Sequence, residues 1–199
     1  MPRGPGSQPP ETALPPTLQP KKTILDKKQL RRVIRRIAGE VLERDGGTAD
    51  LMLLGIRTRG VPFAERLAAE IEAMEGVRVP VGVLDITLYR DDLSTIAPQP
   101  VVRASRFPEP LDGRVVVLAD DVLYTGRTIR AALDALVDYG RPRAVRLAVV
   151  ADRSGRELPI QADFVGLSVP TSSDEHVEVR FAETDGADDV RILERREEP

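Results

Sequence analysis

Residues 114–128, RVVVLADDVLYTGRT, constrain the fold of this chain more than any other stretch. An apolar run from Val115 to Ala119 stops at two adjacent carboxylates, Asp120 and Asp121. A turn of small residues follows, and apolar residues then recur at steps of three and four as far as Val137. The run is typical of a buried parallel strand, and the periodicity predicts a helix that opens on the turn. The sequence therefore predicts an α/β fold.

This strand–turn–helix unit also predicts a site for a phosphorylated sugar. Open α/β sheets bind ligands at the carboxyl ends of their strands, and the N-terminus of a helix suits a phosphate. Gly126 would let the backbone approach that phosphate, and the hydroxyl groups of Thr125 and Thr128 would add donors. Asp120 and Asp121 would repel a phosphate, but they can accept hydrogen bonds from sugar hydroxyls or help to hold a cation. The alternative is an ordinary β–α turn with an acidic surface pair and a capping threonine.

Length and composition exclude several classes of function. A chain of 199 residues allows one domain with a sizeable core. It contains no cysteine, which excludes disulfides, thiol catalysis and cysteine-based zinc sites. Because no apolar run approaches the length of a membrane span, we expect a cytoplasmic protein that does not enter a membrane. The net charge of −3 does not by itself indicate nucleic-acid binding, although a local basic face could exist.

The first part of the chain divides into a tail and a helix. Residues 1–21 are rich in Pro, Gly, Ser and Thr and predict a disordered N-terminal tail, which leaves residues 22–199 as a single domain. Asp26 is a plausible N-cap for a helix with one apolar face. Another face carries four arginines, namely Arg31, Arg32, Arg35 and Arg36. They could contact a nucleic-acid backbone, although periodicity alone favours a solvated helix face.

A second strand–turn–helix unit predicts a second anion site. The apolar strand from Leu51 to Ile56 runs into a basic turn, RTRG, and Pro62 then favours the start of a helix. Such a turn suits a pyrophosphate, and the alternative is an ordinary turn with exposed arginines. Further along, a strand or hairpin arm is predicted from Val77 to Tyr89, and the polar segment that follows, as far as Pro110, suggests a lid or a mobile surface loop.

Two more apolar strands are predicted after the central helix, from Ala144 to Val150 and from Phe164 to Val169. His176, the sole histidine, precedes an alternating strand, and a surface position is predicted for it.

Three strings now carry a resemblance to a known family. DDVLYTGRT (120–128) resembles the ribose-5-phosphate loop of the type I phosphoribosyltransferases, and above all that of the PyrR family of pyrimidine operon regulators, which are also uracil phosphoribosyltransferases. GIRTRG (55–60) is similar to the family's pyrophosphate loop, and ITLYRDDLS (86–94) to its flexible loop. The likeness extends over roughly residues 22–193. It implies a central, mainly parallel sheet flanked by helices, with a small hood and a flexible loop that closes over the active site.

The resemblance also implies a reaction and its residues. Uracil and 5-phosphoribosyl diphosphate would give uridine monophosphate and diphosphate, with Mg²⁺ held largely by the substrate and by no protein metal cluster. The implied catalytic residues are Asp120, Asp121 and Arg59. The implied substrate-binding residues are Thr58, Arg59, Arg90, Asp120, Asp121, Val122, Leu123, Tyr124, Thr125, Gly126, Arg127, Thr128, Arg153 and Val169, with Asp91 and Asp92 as weaker candidates. Phosphoribosyltransferases for 6-oxopurines carry an acid where this chain has Tyr124, which argues against a purine.

Regulation is the second activity that the resemblance implies. Uridine nucleotides, UMP or UTP, would favour binding to the messenger RNA leader of pyrimidine genes through Arg35, Arg36, Arg44 and Arg156. The chain departs from the family here, because glycine replaces a common histidine at Gly39 and Gly155, and Gln161 and Leu167 occupy positions that are often basic. The family forms homodimers and higher homo-oligomers. The alternatives are a nucleotide-sensing RNA-binding regulator with little turnover and a phosphoribosyltransferase for another base.

Overall fold

Two sheets and four α-helices make up the computed structural model, which describes residues 17–91 and 104–196. In chain order the elements are β1 (Thr17–Leu25), α1 (Lys27–Asp45), β2 (Leu51–Ile56), α2 (Gly60–Glu75), β3 (Val81–Leu84), a short 3₁₀ helix (Thr87–Tyr89), β4 (Val115–Leu123), α3 (Arg127–Val137), β5 (Ala144–Arg153), β6 (Phe164–Val169), β7 (Glu175–Arg180), α4 (Ala182–Asp185) and β8 (Asp189–Arg196). Five parallel strands form the central sheet in the order β3-β2-β4-β5-β6. The predicted α/β architecture is confirmed.

Strand β4 lies in the middle of this sheet, and helices cover both of its faces. Val115, Val117 and Ala119 pack into one hydrophobic cluster with buried side chains of α1 and α2. Val116 and Leu118 pack into the other cluster, with the buried side chains of α3. A strand buried on both faces needs apolar residues at every position, which explains the unbroken apolar run in the sequence. Each such side chain contributes roughly 1.5–3 kcal/mol when it is fully buried.

A smaller antiparallel sheet, in the order β1-β8-β7, forms the predicted hood. Val179, Phe181 and Val190 join it to the cluster beneath α1 and α2. The rings of Phe63 and Phe181 stack with centroids 6.4 Å apart. The hood is therefore fixed to the central sheet by apolar packing.

The N-terminal strand begins earlier than the sequence predicted. Residues 17–21, which the sequence predicts to be part of a disordered tail, lie in β1 and pair with β8, from Thr17 opposite Arg196 onward. Pro20 is tolerated because β1 is an edge strand, and the register shifts between Pro20 and Lys22. The proline-rich composition of this segment predicts disorder, but its pairing with β8, at the other end of the chain, makes it a strand.

Other boundaries also differ from the predictions. Strand β4 does not stop at Ala119 but continues through the two carboxylates to Leu123, which pairs with Asp152 of β5. Helix α1 begins as predicted, with Asp26 and Gln29 forming a capping box. Only residues 81–84 of the predicted arm 77–89 form a strand.

Residues 92–103, which include Asp92 and most of the predicted flexible loop, lie outside the described residues. Across residues 17–91 and 104–196, no helix combines the length and apolar character that crossing a membrane requires.

Candidate active site

The carboxyl ends of the central strands bring the two predicted carboxylates into one site. Asp120 is 6% exposed and Asp121 is half-buried, although both belong to an otherwise apolar strand. One carboxylate oxygen of Asp120 accepts a hydrogen bond of 3.0 Å from the backbone N–H of Asp121. Burial of carboxylates is costly, and carboxylates in such surroundings are common at functional sites, so this pair is the candidate site.

Burial raises the pKa of Asp120 well above its ordinary value, and repulsion from Asp121 raises it further. Arg90 opposes this shift, because its positive charge favours the ionised form of Asp120. Burial likewise raises the pKa of Asp121, against the opposing effects of a hydrogen bond with Asp120 and the charge of Arg59. The pair therefore holds protons more tightly than exposed carboxylates do, and a bound cation would stabilise its ionised form.

The phosphate loop, residues 124–128, connects β4 to α3. Its Gly126 has φ 95°, a left-handed conformation that other residues rarely adopt, and it caps α3. The hydroxyl oxygen of Thr125 accepts a hydrogen bond of 3.3 Å from the backbone N–H of Arg127. The Arg127 side chain pairs with Asp91 at 2.7 Å and with Glu157 at 2.8 Å. The loop thus has the glycine, the hydroxyl groups and the helix N-terminus that the sequence predicted for a phosphate site.

Arg59 occupies the second predicted anion loop, between β2 and α2. The Arg57–Thr58 peptide bond in this loop is cis, Thr58 is exposed and Arg59 is half-buried. The Arg59 guanidinium donates to both carboxylate oxygens of Asp185, at distances of 2.8–3.2 Å, and lies 3.7 Å from Glu178. These contacts raise the pKa of Arg59, mainly through the hydrogen bonds with Asp185, so the cation is fixed beside the carboxylate pair.

The start of α2 and strand β4 are in direct backbone contact. A Cβ atom at Gly60 would overlap the carbonyl oxygen of Ala119, which immediately precedes the carboxylate pair. A residue larger than glycine at this position would therefore displace either the start of α2 or strand β4.

Asp185 and Glu178 are site residues that the sequence analysis missed. Asp185 lies 126 positions along the chain from Arg59, in a four-residue helix of the hood. No local pattern in the sequence signals such a contact. The hood therefore borders the candidate site, because it supplies the acidic residues that pair with the Arg59 guanidinium.

A cavity of about 330 Å³ lies at the carboxyl ends of β5 and β6, where the base is expected. Arg153 and Val169, both predicted to bind substrate, contribute to its lining. Arg153 is only 4% exposed, and its guanidinium lies 3.9 Å from the centroid of the Tyr124 ring and donates to Thr171 at 2.8 Å. The cavity thus adjoins the phosphate loop through an arginine–tyrosine stack.

Of the four arginines predicted to contact RNA, one group pairs with other groups of the protein and, among the residues that the structure describes, the second does not. Arg36 donates to the backbone oxygens of Val165 and Gly166, at 3.1 and 2.5 Å, and pairs with Glu40. In the second group, Arg35 is exposed and has no partner within the described part of the chain.

The remaining two predicted RNA contacts resemble Arg36, because they are also engaged within the protein. Arg44 pairs with Asp163 at 3.1 Å, and Arg156 pairs with Asp152 at 2.6 Å.

The position of His176 differs from the prediction. It lies within β7, is half-buried, and has a buried Nε2 atom with no hydrogen-bond partner among the described residues. Burial lowers its pKa, as do the charges of Arg153 and Arg195. The strand thus begins before His176 rather than after it, and the side chain is half-buried rather than at the surface.

The buried oxygen donors of Asp120 and Asp121 fit a magnesium ion that accompanies a diphosphate. Mg²⁺ prefers oxygen ligands and keeps several waters, so two carboxylates and the substrate suffice.

Comparisons with known proteins agree with this geometry. The phosphoribosyl transferase domain family matches residues 20–184. The chain is 60% identical over 177 residues to the bifunctional protein PyrR of Pelotomaculum thermopropionicum. The matching region covers 89% of this chain and 98% of that protein. It is 57% identical over 175 residues to the protein of the same name from Thermus thermophilus, covering 88% of this chain and 97% of that protein.

Solved structures show the same fold. The hypoxanthine phosphoribosyltransferase of Trypanosoma cruzi superposes with a TM-score of 0.67 at 18% identity, covering 89% of this chain and 98% of that one. The Staphylococcus aureus enzyme gives a TM-score of 0.63 at 17% identity, covering 86% and 92%. The predicted type I phosphoribosyltransferase fold is therefore confirmed. With the carboxylate pair and both anion loops in place, the chain belongs to the phosphoribosyltransferase domain family and, within it, to the PyrR family of bifunctional proteins.

Proposed function

We propose that the protein transfers the 5-phosphoribosyl group of 5-phosphoribosyl diphosphate to uracil, giving UMP and diphosphate. The observation that carries the proposal is the buried carboxylate pair, Asp120 and Asp121, between a phosphate loop on one side and the loop of Arg59 on the other. A phosphorylated sugar with a charged leaving group needs both anion loops, and a ribose needs acceptors between them.

The breaking of the bond at C1 of the ribose develops positive charge on the sugar, so charge placement is the main catalytic task. Asp120 and Asp121 would accept hydrogen bonds from the ribose hydroxyls and stabilise that charge. Residues 124–128 would hold the 5-phosphate with backbone N–H groups and with the hydroxyls of Thr125 and Thr128. Val122 and Leu123, at the end of β4, would line the same site.

Arg59 and Thr58 would bind the leaving diphosphate, and Arg90 would also contribute to binding it. Magnesium bound to the diphosphate would offset its negative charge. Asp120 and Asp121 are the protein groups whose oxygen atoms would suit that ion. Asp185 and Glu178 would keep the Arg59 side chain in one orientation through the contacts described above. The Arg59 guanidinium is then already oriented when negative charge develops on the leaving diphosphate, and it needs little reorientation.

Uracil would occupy the cavity at the ends of β5 and β6, where backbone groups near Val169 can pair with its polar edge. Arg153 would lie beside it. Tyr124 supports a pyrimidine, because it supplies no carboxylate that could pair with a purine.

The second activity that we propose is regulation of pyrimidine genes by binding their messenger RNA leader when UMP or UTP is bound. Arg35 and its neighbour Arg32 support this activity, because both are exposed on α1 and neither has a partner within the described residues. A cytoplasmic location follows from an RNA partner and a phosphoribosyl substrate. A homodimer or higher homo-oligomer is also proposed, and light scattering would distinguish it from a 21.8 kDa monomer.

A base screen tests the proposed reaction. The protein would be mixed with Mg²⁺ and 5-phosphoribosyl diphosphate, and uracil, hypoxanthine, guanine and adenine would be offered separately while diphosphate release is followed. We expect release with uracil alone. Release only with a purine would contradict the assignment of the base, and no release with any base would favour a regulator without turnover.

Asp121→Asn tests the site. The substitution keeps the shape but removes the negative charge, so we expect kcat/KM to fall by about 10²-fold or more while the fold is kept. Asp134→Asn is the matched control, because Asp134 is an exposed carboxylate on α3 whose partner is Arg130. Equal kinetics for the two variants would show that the carboxylate pair has no part in catalysis.

A further inference from the structure

The segment after β5 lies directly against the phosphate loop. The backbone N–H groups of Glu157 and Leu158 both donate to the carbonyl oxygen of Thr125, at 3.0 Å each. The guanidinium of Arg156 donates to the carbonyl oxygen of Tyr124. Two consecutive carbonyl groups of the loop are therefore held by one neighbouring segment.

Peptide geometry gives these contacts a consequence for the phosphate. In a planar trans peptide the C=O of one residue and the N–H of the next point in opposite directions. The carbonyl of Tyr124 shares a peptide with the N–H of Thr125, and the carbonyl of Thr125 shares one with the N–H of Gly126. Donors that hold the two carbonyls therefore turn the two N–H groups the other way. Among residues 17–91 and 104–196 neither N–H has a hydrogen-bond partner, so both are available to an anion.

Arg156 is itself fixed in place. Its side chain is 24% exposed and pairs with Asp152 at 2.6 Å, so one guanidinium spans a carboxylate of β5 and a carbonyl of the loop. A planar guanidinium fork can serve two acceptors at once, whereas an ammonium group serves them less well.

The packing around Arg156 is close. Gly155 has φ 114°, and a Cβ atom there would lie 2.5 Å from Cε2 of Tyr124. Glu157 adds an ion pair with Arg127, the first residue of α3, at 2.8 Å. The segment 155–158 therefore contacts the phosphate loop through backbone hydrogen bonds, a side-chain hydrogen bond and an ion pair. A change in one of these contacts would affect the others.

We propose that Arg156 is a positioning residue for the phosphate loop: by holding the carbonyl of Tyr124 it turns the N–H of Thr125 toward the 5-phosphate of the substrate. The role rests on the proposed function, and it is separate from the RNA contact that the sequence predicted for the same arginine. Arg156 acts on the 5-phosphate through the backbone of the loop, although its side chain also lines the cavity proposed for uracil.

Three variants test this role: Arg156→Ala, Arg156→Lys and the control Arg143→Ala. Arg143 precedes the amino end of β5, far along the strand from Arg156, and forms an exposed pair with Asp50 at 3.1 Å. The measurements are steady-state kinetics for both substrates, calorimetric titration with ribose 5-phosphate, and thermal unfolding of each variant.

For Arg156→Ala we expect KM for 5-phosphoribosyl diphosphate and Kd for ribose 5-phosphate to rise by about tenfold, the equivalent of one charge-assisted hydrogen bond. Arg156 also lines the cavity proposed for uracil, so the KM for uracil does not decide the question, and the titration with ribose 5-phosphate, which contains no base, isolates the effect on the loop. Arg156→Lys should restore part of the affinity, and Arg143→Ala should match the wild type in every measurement. If Arg156→Ala does not fold, Arg156→Lys carries the test alone, with an expected rise in Kd.

Several results would overturn the proposal. One is an unchanged Kd for ribose 5-phosphate in a folded Arg156 variant, and another is a fall in kcat with KM unchanged. A wild-type protein that releases no diphosphate would refute the proposed reaction alone, because the ribose 5-phosphate titration tests Arg156 without turnover. A wild-type protein that does not bind ribose 5-phosphate would refute both.

Discussion

Two adjacent arginines on α1 should respond differently to substitution by alanine. Arg35 is exposed and has no partner among the described residues, whereas Arg36 is bound to the backbone of β6 and to Glu40. Arg35→Ala should therefore weaken RNA binding without affecting stability. Arg36→Ala should destabilise the protein, whether or not it affects RNA.

The magnitude for Arg36 follows from its contacts. Hydrogen bonds from a charged donor contribute about 1.5–3 kcal/mol each when they are buried. The Arg36 side chain is 47% exposed, so solvent screening lowers the expected loss in the free energy of unfolding to about 1–2 kcal/mol in total. For a protein of this size that loss corresponds to a decrease in Tm of about 2–8 °C. Arg35→Ala, in contrast, should change the free energy of unfolding by less than about 0.5 kcal/mol.

The assay combines stability with RNA binding. Urea unfolding gives the free energies, and titration of a transcript of the leader of the pyrimidine genes, with UMP present, gives the affinities at several salt concentrations. Loss of one phosphate contact in Arg35→Ala should weaken binding and reduce the slope of log K against log salt by about 1. Arg143→Ala is the control, since it removes an exposed arginine that lies outside α1.

Either of two results would refute this reasoning. If Arg35→Ala binds the transcript with the affinity and salt slope of the wild type, the exposed face of α1 is not the RNA surface. If Arg36→Ala unfolds at the same urea concentration as the wild type, the contacts with β6 do not stabilise the domain.

Two further predictions concern the carboxylates of the site. Burial raises the pKa of Asp120, so its contribution to stability is present below the ordinary carboxyl pKa of about 4 and is lost as pH rises through the higher pKa of the folded state. Asp120→Asn should therefore unfold at higher urea than the wild type at pH 7 to 8 and lose that advantage near pH 3, and a difference that is constant with pH would contradict this. Asp185→Asn should raise KM for 5-phosphoribosyl diphosphate by about tenfold, because Arg59 loses its bidentate charged partner. Asp134→Asn serves as control in the same kinetic assay, and an unchanged KM in Asp185→Asn would show that Arg59 is oriented by other groups.

The strands and the local turns could be predicted from the sequence, because their causes are local. The apolar runs of β2 and β6 end where the sequence predicted, and Gly126 marks the phosphate loop. The sequence predicts too early an end for strand β4, because an apolar run ends at the first charged residue. The backbone hydrogen bonds with β5 do not depend on side-chain polarity, and they continue to Leu123. Composition likewise concealed the first residues of β1.

Contacts between distant segments could not be predicted in this way. Arg36 meets carbonyl groups 129 and 130 positions away, and Arg59 meets Asp185 across 126 positions. The roles predicted for both arginines rest on the neighbouring residues in the sequence. Those residues show that a positive charge is present, but they do not show which distant groups contact it. The same limit applies to Arg156, whose carbonyl partner lies 32 positions away.

The contact between Gly60 and the carbonyl of Ala119 has a consequence for how such a protein can evolve. The start of α2, which follows the loop of Arg59, lies backbone against backbone on strand β4 beside the carboxylate pair. Under the proposed function, substitutions around the cavity would alter which base is accepted, and substitutions on α1 would alter RNA recognition, while this backbone contact stays the same. Base choice and RNA recognition could then change independently of each other.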